Sequence, residues 1–211
     1  MPPVQVAAAL GPLLEALNLA GIAVFALSGA LLAAEKKQTF VTFIFFAVVT
    51  GVGGGTVRDL LIGAPVFWVH QNATLLICFA AALAAWLAPS GVWKGKALLW
   101  CDAAGLAAYS AFGAAKGLAF GLAPLPAFAM GVVTGVVGGI IRDLLAGEDS
   151  ILLRSELYVT AAALSAAALV GLVLLGVPGG VAGIVAFVLG FALRGAAIVR
   201  GWSLPGYGDP R

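Results

Sequence analysis

Charge is the scarcest commodity in this sequence. Asp, Glu, Lys and Arg together make up 9% of the 211 residues, against about 25% in an ordinary soluble domain, which excludes a water-facing surface over most of the chain. One histidine and two cysteines leave no cluster with the spacing of a zinc site, so no resident metal and no cofactor are expected. Cys78 and Cys101 lie in or beside apolar runs and read as small apolar residues rather than a disulfide. A formal charge of +2 offers no grip on nucleic acid. The first residues, "MPPVQVAAALGPLLEALN", lack the basic n-region of a cleaved signal peptide and read as part of the mature protein.

What is abundant is apolar length. Hydrophobic residues make up 63% of the chain and the mean hydropathy is +1.12. A bilayer core of about 30 Å needs roughly 20 apolar residues per helix. Apolar runs between turn or charge clusters place spans at about 13–33, 40–62, 73–89, 98–120, 126–146, 157–176 and 180–199, separated by "EKKQT", "GAPVFWVHQN", "PSGVWKGK", "GLAPLP", "GEDSILLRSE" and "GVPGG". The expected architecture is an all-α integral membrane protein: one transmembrane domain over 1–211, with no soluble domain.

Two stretches are nearly the same phrase. "TGVGGGTVRDLL" runs from Thr50 to Leu61 and "TGVVGGIIRDLL" from Thr134 to Leu145; residues 48–63 laid on 132–147 agree at 12 of 16 positions. The same offset of 84 places Asn18 on Asp102, Gly21 on Gly105, Phe25 on Tyr109 and Gly29 on Gly113. The unit is therefore three helices, about 13–89 and again about 97–176, with the helix at about 180–199 left over. An odd number of spans per unit sends the second copy into the membrane from the opposite side, an inverted repeat about an axis in the membrane plane.

Glycine costs roughly 1 kcal/mol relative to alanine in a helix interior, so Gly53-Gly54-Gly55 in span 2 and Gly138-Gly139 in span 5 are expected to kink or unwind those helices. In hydrocarbon an unwound backbone survives only where protein or water satisfies it. Each glycine run leads to an Arg-Asp pair, Arg58-Asp59 and Arg142-Asp143, and follows a threonine, Thr50 or Thr134. Charges at that depth face a cavity or pair up, and two such segments crossing near the midplane would line a polar pathway from both halves. The competing reading is that the glycines serve close helix packing and that Arg and Asp neutralise each other.

Three further polar residues are possible partners. Asp102 is expected either to pair with Arg142 or to cap its helix, with Asn18 facing Arg58; Lys116 reads either as a pathway charge or, by preference, as a snorkelling residue. Lys36, Lys37, Lys94, Lys96, Arg154, Arg200 and Arg211 fall on one side, which puts the N-terminus outside and the C-terminus inside. Trp68, Trp93, Trp100 and Trp202 are candidate interfacial anchors. The glycine-rich phrase is no phosphate loop, since it lacks the Gly-Lys-Ser/Thr ending.

Seven spans in a 3+3+1 inverted repeat with "GVGGGTVRDLL" in the second and "GVVGGIIRDLL" in the fifth resemble the prokaryotic trimeric intracellular cation (TRIC) channels, over about residues 13–200. The resemblance implies a homotrimer in a prokaryotic inner membrane, in contact with membrane lipids. Each protomer would hold its own pore for monovalent cations, chiefly potassium, lined around the kinks of helices 2 and 5, with no enzymatic chemistry. The carried-over positions are Gly53, Gly54, Gly55, Arg58 and Asp59, and Gly138, Gly139, Arg142 and Asp143, with Val137 where the first phrase has a glycine. A secondary transporter of glycine or another small zwitterion fits the same residues, whose arginines suit a carboxylate.

Overall fold

The structure is a computed structural model that describes residues 3–89, 96–150 and 157–205, with side chains from Gly11 onward. Lys94, Arg154 and Arg211, used above to orient the chain, and Trp93, a candidate interfacial anchor, lie outside the described residues. Helices α1 (Pro3–Glu35), α2 (Phe40–Leu61), α3 (Asn72–Leu87), α4 (Ala97–Ala119), α5 (Pro124–Leu145), α6 (Tyr158–Leu174) and α7 (Gly179–Arg200) follow in order, with a short 3-10 turn at Phe67–His70. Each coincides with an expected span. The exception is the start of α1, where helix continues upstream of a break at Gly11 (φ 78). Pro12 follows that break, at the first turn of the second segment, where its missing N–H costs nothing.

Side-chain contacts fix how the helices run. Gly21 lies against Tyr109 while Gly105 lies against Phe25, so α1 and α4 are antiparallel and exchange the same contact. Gly29 lies against the Phe46 carbonyl, and Gly113, 84 residues on, against that of Met130; α1 meets α2 as α4 meets α5. A relation in which residue i touches j and their mates touch in return is that of a two-fold axis. Because the paired helices are antiparallel, that axis lies across the bundle, and the fold is an inverted 3+3 repeat plus α7. Gly63 and Gly147 end α2 and α5 with the same left-handed turn, φ 65 and 68, which glycine adopts without the strain a Cβ would bring.

Two polar links tie the termini of distant helices together. Lys36, after α1, forms an ion pair with Glu148, after α5, and Lys96 Nζ donates to the Ile198 carbonyl at 3.0 Å. These segments share one end of the bundle, as alternating spans require. Among the described residues, five helices are long and apolar enough to cross a membrane, whereas α3 and α6 have 16 and 17 residues and span about 25 Å. Leu76, Phe79, Leu83, Trp86 and Leu87 on α3 are exposed, an apolar exterior that suits lipid.

Candidate functional site

Both glycine runs remain α-helical from end to end, so of the two expected outcomes, a kink or an unwinding, the unwinding does not occur. The reason lies across the bundle. A Cβ on Gly54 would run into the Thr134 carbonyl oxygen, and a Cβ on Gly138 would come within 2.6 Å of the Thr50 carbonyl oxygen. Helices α2 and α5 therefore cross backbone to backbone, each contributing its threonine and its glycine at mid-length. Keeping the helical hydrogen bonds leaves no polar backbone bare in an apolar setting, and the missing side chains permit the approach, as small residues do in membrane packing. Gly55 and Gly139 have different neighbours: the Phe67 ring at 2.6 Å from a Gly55 Cβ position, the Tyr158 hydroxyl at 2.6 Å from that of Gly139. Gly53 faces Ile141, at 3.3 Å.

About 9 Å along each helix from this crossing come the arginines, one toward each end. Arg58 is 1% exposed and Arg142 2%; neither snorkels to the surface. At one end Asp59 Oδ1 accepts from Arg58 Nε and Nη2 and from Lys116 Nζ, each at 2.8 Å. Asp59 Oδ2 accepts the backbone N–H of Phe67 at 3.1 Å. The guanidinium lies 5.3 Å from the Phe112 ring centroid and 5.9 Å from that of Phe67, within cation–π range. At the other end Arg142 donates to Asp143 Oδ1 at 2.9 Å, to Asp102 Oδ1 at 2.7 Å and to Ser28 Oγ at 3.0 Å. Removing one partner from such a buried pair leaves an uncompensated charge, at a cost of about 3–5 kcal/mol.

The expected Asp102–Arg142 pair is thus present, and Asp102 sits inside α4 instead of capping it. Asn18 makes no hydrogen bond to Arg58; its amide donates to Glu15 at 3.4 Å. Lys116 does not snorkel: it is 8% exposed and crosses from α4 to reach Asp59 of the other repeat. Thr50 and Thr134 are fully buried at the crossing, the Thr134 hydroxyl turned back onto the Met130 carbonyl. Trp68 is half-buried and donates to Thr56 at 2.9 Å, a structural tie and not a free interfacial anchor, while Trp100 and Trp202 are the more exposed rings.

Four participants escaped the sequence reading. Ser28 and Phe112 are mates at the offset of 84, so the repeat alignment could have pointed to them. Tyr109 donates to the Gly51 carbonyl at 2.6 Å. Arg194, within the seventh span, is 1% exposed and lies 5.5 Å from the Tyr158 ring centroid; a charged residue inside an apolar span was its signal.

A bundle of this kind, with paired charges buried on either side of an inverted helix crossing, defines a multi-pass helical membrane protein. A family model described as a glycine transporter matches the chain twice, over residues 15–90 and 99–174, two stretches 84 residues apart at both ends. A membrane protein of Vibrio cholerae, UPF0126, is 42% identical over 156 residues, covering 71% of this chain and 64%, just under two thirds, of that protein. The Bacillus subtilis UPF0126 membrane protein YvgT is 36% identical over 90% of this chain and 95% of its own. UPF0126 inner membrane protein YadS of Escherichia coli K12 is 36% identical over 69% of the chain and 72% of its own. Among solved structures, the TRIC trimeric intracellular cation channel orthologue from Rhodobacter sphaeroides is 42% identical over 90% of this chain and 98% of its own, with a TM-score of 0.82. A prokaryotic TRIC channel crystallised in 0.5 M KCl is 28% identical, with a TM-score of 0.82 over 90% of the chain. The chain belongs to the prokaryotic TRIC channel family, with UPF0126 inner membrane proteins among its relatives and the glycine transporter family model matching it, and it is a multi-pass inner membrane protein.

Proposed function

We propose that this protein is a passive channel for monovalent cations, chiefly potassium, working as a homotrimer with one pathway per protomer and no catalytic chemistry. The pathway follows the α2–α5 crossing between the Arg58 and Arg142 clusters, past Thr50, Gly53, Gly54, Gly55 and Asp59 from one half and Thr134, Gly138, Gly139 and Asp143 from the other. One observation carries this reading: two symmetry-related, fully buried Arg-Asp pairs flank a crossing at mid-membrane depth, an expensive arrangement that a purely structural bundle does not need. The likeness to a cation channel orthologue at 42% identity supplies the solute class. With the guanidinium groups buried the path is closed, and opening requires a charged cluster to rearrange so that carboxylate and carbonyl oxygens can meet the ion. The repeat units are taken as about 13–89 and 97–176, the N-terminus as outside, and lipid as the contact of the outer helix faces.

The description of the matching family model favours a second reading, uptake of glycine, in which Arg58 or Arg142 would hold the carboxylate. Proteoliposomes of the purified protein separate the two: potassium current under voltage clamp against uptake of labelled glycine down a gradient. Unitary potassium currents without glycine uptake are expected; saturable glycine uptake without unitary currents would replace the channel by a carrier. In the same assay Arg58→Ala and Arg142→Ala are expected to change flux or selectivity far more than they change assembly, and poor assembly with normal residual conduction would make the arginines structural.

A further inference from the structure

The inverted repeat supplies an internal control, because each position around one arginine has a mate 84 residues away around the other, and the two arginines are not held alike. Arg142 donates to three side chains, Asp143, Asp102 and Ser28. The mates of those three are Asp59, Asn18 and Phe112. Arg58 keeps only the first: Asn18 is turned to Glu15, and Phe112 offers a ring face instead of an acceptor. Asp59 is also shared, since Lys116 Nζ takes the same oxygen at 2.8 Å, whereas the mate of Lys116 is the uncharged Leu32.

The Arg58 end is covered as well. The 3-10 turn Phe67–His70 lies over it, with the Phe67 ring against Gly55 and both cations, Arg58 and Lys116, within 6 Å of that ring's centroid. Two hydrogen bonds pin the turn, Phe67 N–H to Asp59 Oδ2 and Trp68 Nε1 to Thr56 Oγ1. One carboxylate thus ties down an arginine, a lysine and a lid.

From this we infer that the two ends are unequal: the Arg142 cluster is a fixed anchor, and the Arg58 end opens, with Asp59 as the tie whose release frees Arg58 and the Phe67–His70 lid together. Lys116 is a positioning residue that competes with Arg58 for Asp59. The inference rests on the channel reading only for its effect on flux; the inequality itself is a matter of local opening.

The test compares mates. In a background with Cys78 and Cys101 changed to alanine, single cysteines replace Val57 and its mate Ile141, both half-buried beside the arginines. Their rates of reaction with a membrane-impermeant maleimide are read on the full-length protein in detergent, where both ends meet the reagent. Asp59→Asn is expected to speed labelling at position 57 by roughly tenfold, the worth of one charge-assisted hydrogen bond, whereas Asp143→Asn leaves position 141 near its starting rate because Asp102 and Ser28 still hold Arg142. Equal acceleration at both ends, or none at position 57, overturns the inference. Should Asp59→Asn not fold, Trp68→Phe, which removes one pin of the lid, is expected to accelerate position 57 and not 141, and failure to do so overturns it equally. Potassium flux measured alongside keeps the two claims apart. Unequal labelling without flux removes the channel reading and leaves the unequal ends; flux with equal labelling does the reverse.

Discussion

A methyl group is the smallest probe of the crossing. Gly54→Ala and Gly138→Ala each drive a Cβ into a backbone carbonyl of the partner helix, which cannot yield as a side-chain tip can, so each is expected to destabilise by about 1–3 kcal/mol or more, as overpacking does. Gly171→Ala on α6 meets nothing within 4 Å and is expected to stabilise by roughly 0.5–1 kcal/mol through helix propensity. Thermal melting of the three variants in detergent checks the contrast, and a Gly54→Ala variant as stable as the parent would remove close approach as the reason for the glycine. Tyr109→Phe, which deletes the 2.6 Å bond to the Gly51 carbonyl, is expected to cost about 0.5–1.5 kcal/mol, the net worth of one hydrogen bond, since that carbonyl keeps its helical partner; its mate Phe25 already lacks that hydroxyl. At this scale the sequence shows that glycines matter without showing why. A triple glycine reads equally as a broken helix or as a groove, and only the neighbour opposite, Thr134 or Thr50, decides between them.

Helices α2 and α5 are the elements that carry the candidate site, and their place was legible because the doubled phrase marked both and the offset of 84 set them antiparallel. The partners of their charges were less legible. Whether Lys116 snorkels or points inward depends on how α4 is rotated about its axis, and α4 is so rich in alanine and glycine, buried on nearly every side, that no polar face betrays its setting. Pairing with Arg142 was one of the two readings open for Asp102, whose mate Asn18 is polar too; nothing pointed Lys116 inward, its mate being Leu32. Lys116→Met tests its assigned position: with the competitor gone, Arg58 holds Asp59 alone, and potassium flux is expected to fall, while an unchanged flux would reduce Lys116 to packing.

For the whole molecule, the links Lys36–Glu148 and Lys96–Ile198 place the α1–α2 and α5–α6 connections and the end of α7 on one face. Single cysteines at Gln38 and Asp149 are expected to react with an impermeant reagent from one side of the membrane, and those at Val69 and Gly121 from the other; reaction of Gln38 and Asp149 from opposite sides would undo the inverted arrangement. The alternation of spans was legible from hydrophobic length alone, since a bilayer dictates it, whereas α3 and α6 could be found but not known to fall short of the membrane thickness. The crossing at Thr50, Gly54, Thr134 and Gly138 has one more consequence. Each half supplies the groove that the other fills, so the two halves recognise each other as a pair of separate proteins would. Two shorter polypeptides, one ending after α3 and one starting before α4, made together in the same cell, should find each other in the membrane and rebuild the bundle.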